Sequence, residues 1–217
     1  MSSKKFLKII ITAGPTREPI DKIRFISNQS TGTLGFELAK EARKRNHNVI
    51  LISGPVNLKT PKKVKRFDII TTIDMQKEIN KRFAWCDCLI MSAAISDYRP
   101  KRYISGKLKK KKSQISLKLV RNPDILETLG RTKKDKVLVG FALETDKLIQ
   151  NAKSKLKKKS LDLIIANRKS SNMNPFGKNK IAGYIIDKQL KVKKFSNISK
   201  SQLSKRLLDS IEELCYT

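Results

Sequence analysis

The chain alternates short runs of branched apolar residues with segments whose apolar residues recur at helical spacing. Apolar runs such as Lys8–Ala13, 49–53 and 137–141 are typical of strands that are buried on both faces. Strands of that kind belong to parallel sheets, because each crossover connection places a helix over one face. The pattern therefore predicts an α/β fold, a three-layer Rossmann-like sheet that is mainly parallel and has helices on both faces.

The rest of the chain continues the alternation. Further strands are predicted at 68–72, 88–92, 117–120 and 163–166, and helices at 36–45, 74–84, 123–129 and 146–158. Near the end, residues 182–187 and 190–194 predict a C-terminal β-hairpin, and Ser199 is expected to cap a last helix that ends near Leu214. The 217 residues suffice for one core, so we predict a single domain over residues 1–217.

The net charge is +30, from 49 Lys and Arg against 19 Asp and Glu. Such an excess attracts nucleic acids, membrane surfaces or phosphorylated small molecules. Lysines occur in nearly every segment, so a solvated basic surface explains the charge as well as a bound anion does. A specific nucleic-acid-binding module stays a rival hypothesis, but it is disfavoured because aromatic residues are only 6% and no stacking motif is present.

The first apolar run ends at Gly14 and is too short for a signal peptide or a membrane-spanning helix. A cytoplasmic protein without a membrane partner is expected. Cys86, Cys88 and Cys215 form no even disulfide framework, so reduced thiols are expected. A dinucleotide-dependent reductase is disfavoured, because neither a GxGxxG loop nor a Tyr-x-x-x-Lys motif occurs.

A long polar loop follows the first predicted strand and carries Arg24, Asn28 and Ser30 within seven residues. The backbone N–H groups of such a loop can bind phosphate at the N-terminus of the next helix. The loop is not a Walker A motif, because no GK[ST] follows it. An ordinary surface connection is the alternative.

Two further segments have features of a nucleotide site. In Met91-Ser-Ala-Ala-Ile-Ser-Asp, small residues at a strand end would let a base or ribose approach the backbone, and Asp97 could accept from a ribose hydroxyl or face a Mg²⁺ hydration shell. The alternative is a strand end capped by a turn aspartate. The run Gly106-Lys-Leu-Lys-Lys-Lys-Lys is either a solvated lysine run or a lid that brings ammonium groups onto a triphosphate.

The remaining motifs are Asn122-Pro-Asp-Ile-Leu, Gly140-Phe-Ala-Leu-Glu-Thr and the pair Lys155 and Lys159. Lysines four residues apart on a helix share one face. Their repulsion costs a few tenths of a kcal/mol unless an anion lies between them.

Along the chain, the motifs come in the order ITAGPTREPID, RFISNQSTGTLG, SAAISDYRP, GKLKK, NPDIL, GFALET and KLKKKSLDLIIAN. In this order and combination they resemble the synthetase domain of bacterial bifunctional coenzyme A biosynthesis flavoproteins. The resemblance runs from about residue 8 to the last helix. It implies a phosphopantothenate–cysteine ligase, in which the 4′-phosphopantothenate carboxylate first attacks the α-phosphate of CTP and releases pyrophosphate. The L-cysteine amine then attacks the acyl-cytidylate and releases CMP. Eukaryotic relatives use ATP, which remains the alternative nucleotide.

The resemblance also assigns residues. Asn28 and Lys107 match catalytic positions, and Arg24, Asn28 and Ala94 match positions near the reacting groups. The nucleotide-binding positions are Met91, Ser92, Ala93, Asp97, Lys107, Pro123, Asp124, Ile125, Leu126, Phe141, Lys155 and Lys159. Within the lysine run, Lys109 or Lys110 could share the role of Lys107.

Cofactors and partners follow from the same resemblance. Mg²⁺ is expected with CTP, no metal ligands are assigned in the chain, and a homodimer is expected. Family members usually carry an N-terminal flavin-dependent decarboxylase. This chain starts just before the first synthetase strand, so neither that domain nor FMN is expected.

Overall fold

The computed structural model describes residues 6–109, 114–168 and 180–216. In these residues, strands β1 to β12 span Lys8–Ala13, Arg17–Pro19, Phe25–Ser27, Asn48–Ser53, Lys65–Asp68, Cys88–Met91, Tyr98–Pro100, Leu119–Arg121, Val137–Glu144, Leu163–Arg168, Ile181–Asp187 and Val192–Ile198. Helices α1 to α5 span Thr33–Lys44, Thr72–Phe83, Ile125–Gly130, Leu148–Lys158 and Lys200–Tyr216.

Eight of the strands form one sheet in the order β12-β11-β10-β9-β6-β1-β4-β5. Strands β5, β4, β1, β6, β9 and β10 are parallel, while β11 and β12 add an antiparallel hairpin at one edge. The chain builds outward from β1 through β4 to β5 and then returns to place β6 on the other side of β1. The carboxyl ends of β1 and β6 are therefore the topological switch point, where ligands bind in open α/β sheets.

Helices cover both faces of the sheet, which confirms the predicted three-layer architecture. On one face, α1 and α5 bury apolar residues such as Phe36, Leu38 and Leu207 against the odd-numbered side chains of β1. On the other face, α2, α3 and α4 bury Met75 and Leu156 with the opposite side chains of the same strands. Burial on both faces explains why the central strands are continuous apolar runs.

Helix starts differ from the sequence prediction because capping decides them. Helix α2 begins at Thr72, two residues before the predicted start, and Thr71 is its N-cap. Asp74 closes a capping box, since its carboxylate accepts from the Thr71 N–H at 3.0 Å. The strand predicted at 68–72 is therefore wrong, and β5 ends at Asp68. Likewise Asp124 caps α3 and leaves Pro123 outside the helix.

Two small antiparallel sheets, β2 with β3 and β7 with β8, were not anticipated apart from the strand predicted at 117–120. Each strand has three residues, which is too short for an alternating pattern to be visible in the sequence. Both sheets lie in the connections that leave the carboxyl ends of β1 and β6. They and their loops expose large apolar side chains, namely Ile23, Phe25, Tyr98, Tyr103, Ile115, Leu117 and Leu119.

The three cysteines are free thiols. Burial raises the pKa of the Cys86 thiol to about 12, so that it stays protonated and unreactive near neutral pH. In the part of the chain that the structure describes, no helix is long and apolar enough to cross a membrane.

Candidate active site

A cavity of about 1430 Å³ opens at the carboxyl ends of β1 and β6. Its volume exceeds the range of about 300–1,000 Å³ that is usual for one small ligand, so more than one substrate fits. Most of the lining comes from residues 27–35, from 91–98, from 121–128 and from parts of β9 and α4. The cavity thus lies at the switch point, where the sheet topology favours a ligand.

Of the fifteen residues that the family resemblance assigns, thirteen line this cavity. They are Asn28, Met91, Ser92, Ala93, Ala94, Asp97, Pro123, Asp124, Ile125, Leu126, Phe141, Lys155 and Lys159. Arg24 and Lys107 do not line it. The sequence prediction therefore selects residues that the fold brings together from segments more than 100 positions apart, while the role of each in binding stays a prediction.

Asn28 is held by its amide group. Its Nδ2 donates to the carbonyl oxygens of Ala94 at 3.3 Å and Ile95 at 3.0 Å. This contact joins the segment after β3 to the loop after β6 across the cavity wall. Because the amide nitrogen is engaged, the amide oxygen is the acceptor that remains for a ligand.

The small residues after β6 are fixed to the end of β1. The Ser92 hydroxyl donates to the Thr12 carbonyl, and the Ala93 N–H donates to Thr12 Oγ1 at 3.1 Å. Beyond the strands, the Ala94 N–H donates to the Gly14 carbonyl at 2.9 Å. Backbone and short side chains therefore form this part of the cavity wall, which lets a flat ring approach closely.

Asn122, the first residue of the Asn122-Pro-Asp-Ile-Leu motif, is a positioning residue for which the sequence predicted no role. Its Nδ2 donates to the Ser96 carbonyl at 2.8 Å, and its backbone N–H donates to the Asp97 carbonyl at 2.8 Å. Its amide oxygen accepts from Arg99 at 3.0 Å. These bonds hold the Asp97 segment against the Pro123 segment. The signal in the sequence for this positioning role is an Asn that directly precedes a Pro at the end of a strand.

Lys155 and Lys159 each have a carboxylate partner within the chain. Lys155 Nζ lies 2.5 Å from Glu144, and Lys159 Nζ lies 2.8 Å from Asp124. Lys159 is the C-cap of α4 rather than an internal helical residue. The two carboxylates offset the repulsion between the lysines, so their proximity does not require a bound anion, contrary to the sequence argument.

The Glu144–Lys155 pair predicts a pH-dependent stability. Burial alone would raise the pKa of Glu144, but hydrogen bonds from Lys155 and Asn151 and the charge of Lys155 hold it below its ordinary value. A carboxylate with a lowered folded-state pKa stabilises the fold above its unfolded pKa of about 4.3, and this stabilisation is lost as the pH falls through the folded pKa. We expect Glu144→Gln to cost about 0.5–1 kcal/mol at pH 7.

Urea denaturation of wild type and Glu144→Gln at pH 7 and at about pH 3 measures this effect. The difference in unfolding free energy should shrink at the lower pH. An equal difference at both pH values would mean that the ion pair does not stabilise the fold.

Arg24 and Lys107 lie together outside the cavity lining. Arg24 Nη2 lies 2.7 Å from Asp21 Oδ2 and donates to the Leu108 carbonyl at 2.6 Å. Lys107, next to Leu108, is exposed to solvent. Lys110, the last lysine offered as a substitute for Lys107, lies outside the described residues.

A family model described as the DNA/pantothenate metabolism flavoprotein C-terminal domain matches residues 5–215. The coenzyme A biosynthesis bifunctional protein CoaBC of Borreliella burgdorferi is 43% identical over 204 residues, which are 93% of this chain and 51% of that protein. The protein of the same name from Escherichia coli K12 is 40% identical over 215 residues, or 95% of this chain and 52% of that protein. The chain spans about half the length of these relatives.

Solved structures agree with these matches. The crystal structure of the C-terminal domain of CoaBC has a TM-score of 0.83 and 31% identity to this chain, with 98% of both chains covered. The DNA/pantothenate metabolism flavoprotein of Streptococcus pneumoniae has a TM-score of 0.84 at 26% identity, with 95% of this chain and 99% of that chain covered. The resemblance inferred from the ordered motifs is confirmed, and the chain belongs to the DNA/pantothenate metabolism flavoprotein C-terminal domain family.

Proposed function

We propose that this chain is a phosphopantothenate–cysteine ligase that uses CTP and forms an acyl-cytidylate intermediate. The observation that carries the proposal is the convergence of the family motifs on one cavity at the switch point of the sheet. The names of the relatives, which place them in coenzyme A biosynthesis, support the same reaction.

The proposed chemistry needs positioning and charge stabilisation more than acid–base groups. A carboxylate oxygen is a poor leaving group, whereas a phosphoryl anion leaves readily, so attack on the α-phosphorus prepares the carboxyl carbon for the amine. Holding the reactants in line and stabilising the developing charge are then the main tasks of the protein. His47 is the single histidine of the chain, and it is buried between the Leu7 N–H and Glu212.

The cavity offers groups suited to each part of a nucleoside triphosphate. Phe141 supplies an aromatic face for the base, and Asp97 supplies an exposed carboxylate for the ribose. At Gly32, the N-cap position of α1, no side-chain hydrogen bond caps the helix, and the first turn lies in the cavity lining. Uncapped N–H groups at a helix N-terminus favour phosphate. Lys155 and Lys159 also line the cavity, each beside its carboxylate partner.

Mg²⁺ enters this proposal as part of the CTP substrate. Mg²⁺ usually keeps several waters and is held by substrate phosphates with one or two carboxylates. Asp97 fits that role, and the described residues hold no cluster of three or more side chains suited to a metal ion. FMN has no role in the reaction, because neither half-step transfers electrons.

Release of CMP from CTP tests the proposal. Release should require both 4′-phosphopantothenate and L-cysteine, and replacing CTP by ATP should slow it strongly. Equal rates with ATP would overturn the nucleotide assignment, and no product with either nucleotide would overturn the ligase. A thermal shift with CTP that exceeds the shift with a random oligonucleotide at physiological salt would exclude the nucleic-acid-binding alternative.

We propose further that the active form is a homodimer whose partner subunit supplies Lys107. The exposed apolar side chains of the two small sheets lie in the same part of the fold as the loop that carries Lys107. Several exposed large apolar side chains in one part of a fold are typical of an interaction site. Lys107 itself does not line the cavity of its own chain. A second copy would cover the apolar surface and bring its own Lys107 to the cavity.

Mixed dimers test this arrangement. Co-expressed Asn28→Asp and Lys107→Gln chains should regain about a quarter of the wild-type activity, because half of the dimers are mixed and each has one intact site of two. Each variant alone serves as the control. No recovery in the mixture, with mixed dimers verified by two affinity tags, would place Lys107 and Asn28 in a site of one chain.

A further inference from the structure

The backbone of Leu108 is held on both sides by two residues of the turn between β2 and β3. The Leu108 N–H donates to Asp21 Oδ2 at 3.0 Å, and the Leu108 carbonyl accepts from Arg24 Nη2 at 2.6 Å. These partners lie 87 and 84 positions away in the sequence. A second bond follows the same route, from the Ile104 N–H to the Ile20 carbonyl at 3.0 Å.

The carboxylate of Asp21 is buried and surrounded by hydrogen-bond donors. Its side chain is fully buried although it carries a carboxylate. It accepts from the backbone N–H groups of Ile23 at 2.8 Å and Arg24 at 2.7 Å, and from Arg24 Nε at 3.0 Å. The Leu108 and Arg24 N–H groups hold the pKa of Asp21 far below its ordinary range. The carboxylate is therefore ionised at any pH at which the protein works, and each of its contacts is charge-assisted.

The contacts at Leu108 fix the backbone next to Lys107, because Lys107 directly precedes Leu108 in the chain. The side chain of Lys107 is itself exposed. The ammonium group of a lysine stands on a flexible four-carbon stem. Its position is therefore poorly defined unless the backbone that carries the side chain is fixed. Fixing the backbone one residue away limits where the ammonium group can reach before any substrate binds, which is the preorganisation that charge stabilisation requires.

We propose that Asp21 and Arg24 form a clamp that positions Lys107, an inference that rests on the proposed ligase function. Both are positioning residues that act through the Leu108 backbone. Arg24 accordingly serves the reaction by holding the lysine loop, whereas the family resemblance placed it near the reacting groups.

Hydrogen exchange measured without substrates tests the clamp itself. In Asp21→Asn the Leu108 amide should exchange about 10- to 100-fold faster than in wild type, because a charge-assisted bond is lost. Asp74→Asn is the matched control, since Asp74 also accepts a backbone N–H and a hydroxyl but lies in the α2 capping box. Unchanged Leu108 exchange in Asp21→Asn would overturn the clamp whether or not the chain is a ligase.

Kinetics test whether the clamp acts through Lys107. In the wild-type background, Asp21→Asn should slow pyrophosphate release in the activation step by roughly 100-fold, an effect expected from small misplacement of a reacting group. In the Lys107→Gln background, the same substitution should cost almost nothing more, because the group it positions is already gone. Equal losses in both backgrounds would overturn the positioning role. If wild type forms no product, the proposed function fails, and the exchange measurement still decides the clamp.

Discussion

Lys107→Gln is expected to slow pyrophosphate release from CTP and 4′-phosphopantothenate by roughly 30- to 5,000-fold, which corresponds to a loss of about 2–5 kcal/mol of transition-state stabilisation. Charge builds up on the triphosphate as the carboxylate attacks the α-phosphorus, and an ammonium group in a closed site would offset it. Glutamine keeps much of the length of lysine but removes the charge. Loss of charge, rather than loss of bulk, is therefore what the variant measures.

Two further lysines serve as controls for Lys107→Gln. Lys118 is an exposed lysine just before β8, and Lys118→Gln should leave the rate unchanged. Lys109→Gln tests which lysine of the run holds the catalytic position. It should slow the reaction less than Lys107→Gln does. A wild-type rate in Lys107→Gln would refute the assignment, and a larger loss in Lys109→Gln would move the catalytic role to that residue.

Asn28→Asp is expected to uncouple the two half-reactions. The Asn28 amide nitrogen donates to the Ala94 and Ile95 carbonyls, and a carboxylate in its place would face two carbonyl oxygens. The segment after β3 should shift, and the oriented amide oxygen should be lost to the intermediate. Removing one oriented polar group from such a site costs roughly 100-fold, and we expect this loss in the cysteine step.

Rapid-quench kinetics measure the uncoupling. Asn28→Asp should release one equivalent of pyrophosphate per site in a burst and then release CMP slowly at saturating cysteine. Asn80→Asp places the same charge at an exposed position of α2 and should behave as wild type. If Asn28→Asp released pyrophosphate and CMP together at the wild-type rate, the role of Asn28 in the second step would be wrong.

The central strands of the sheet were predictable from the sequence. Strands β1 and β6 are apolar on both faces, so their runs are continuous and easily recognised, and their carboxyl ends fix where the site lies. Strand β9, by contrast, continues to Glu144, three residues beyond its predicted end. There the apolar run gives way to a partly exposed strand end, which the sequence pattern reads as a loop.

The contacts that organise the site could not be predicted in the same way. Asp21 and Leu108 meet across 87 positions, and neither residue type signals the other. The ion pairs of Lys155 and Lys159 depend on how α4 lies over β9 and α3, which periodicity does not specify. Residue identity therefore indicated which functional groups the candidate site contains, while tertiary packing determined which of them are paired and which remain available to a ligand.

Transfer of ¹⁸O from the carboxylate of 4′-phosphopantothenate tests the proposed reaction most directly. If the carboxylate attacks the α-phosphorus of CTP, cysteine attack must leave one labelled oxygen in the amide carbonyl and one in CMP. Mass spectrometry should therefore find a single ¹⁸O in the released CMP and none in pyrophosphate. Label in inorganic phosphate, together with CDP as the released nucleotide, would show attack at the γ-phosphorus and would contradict the acyl-cytidylate.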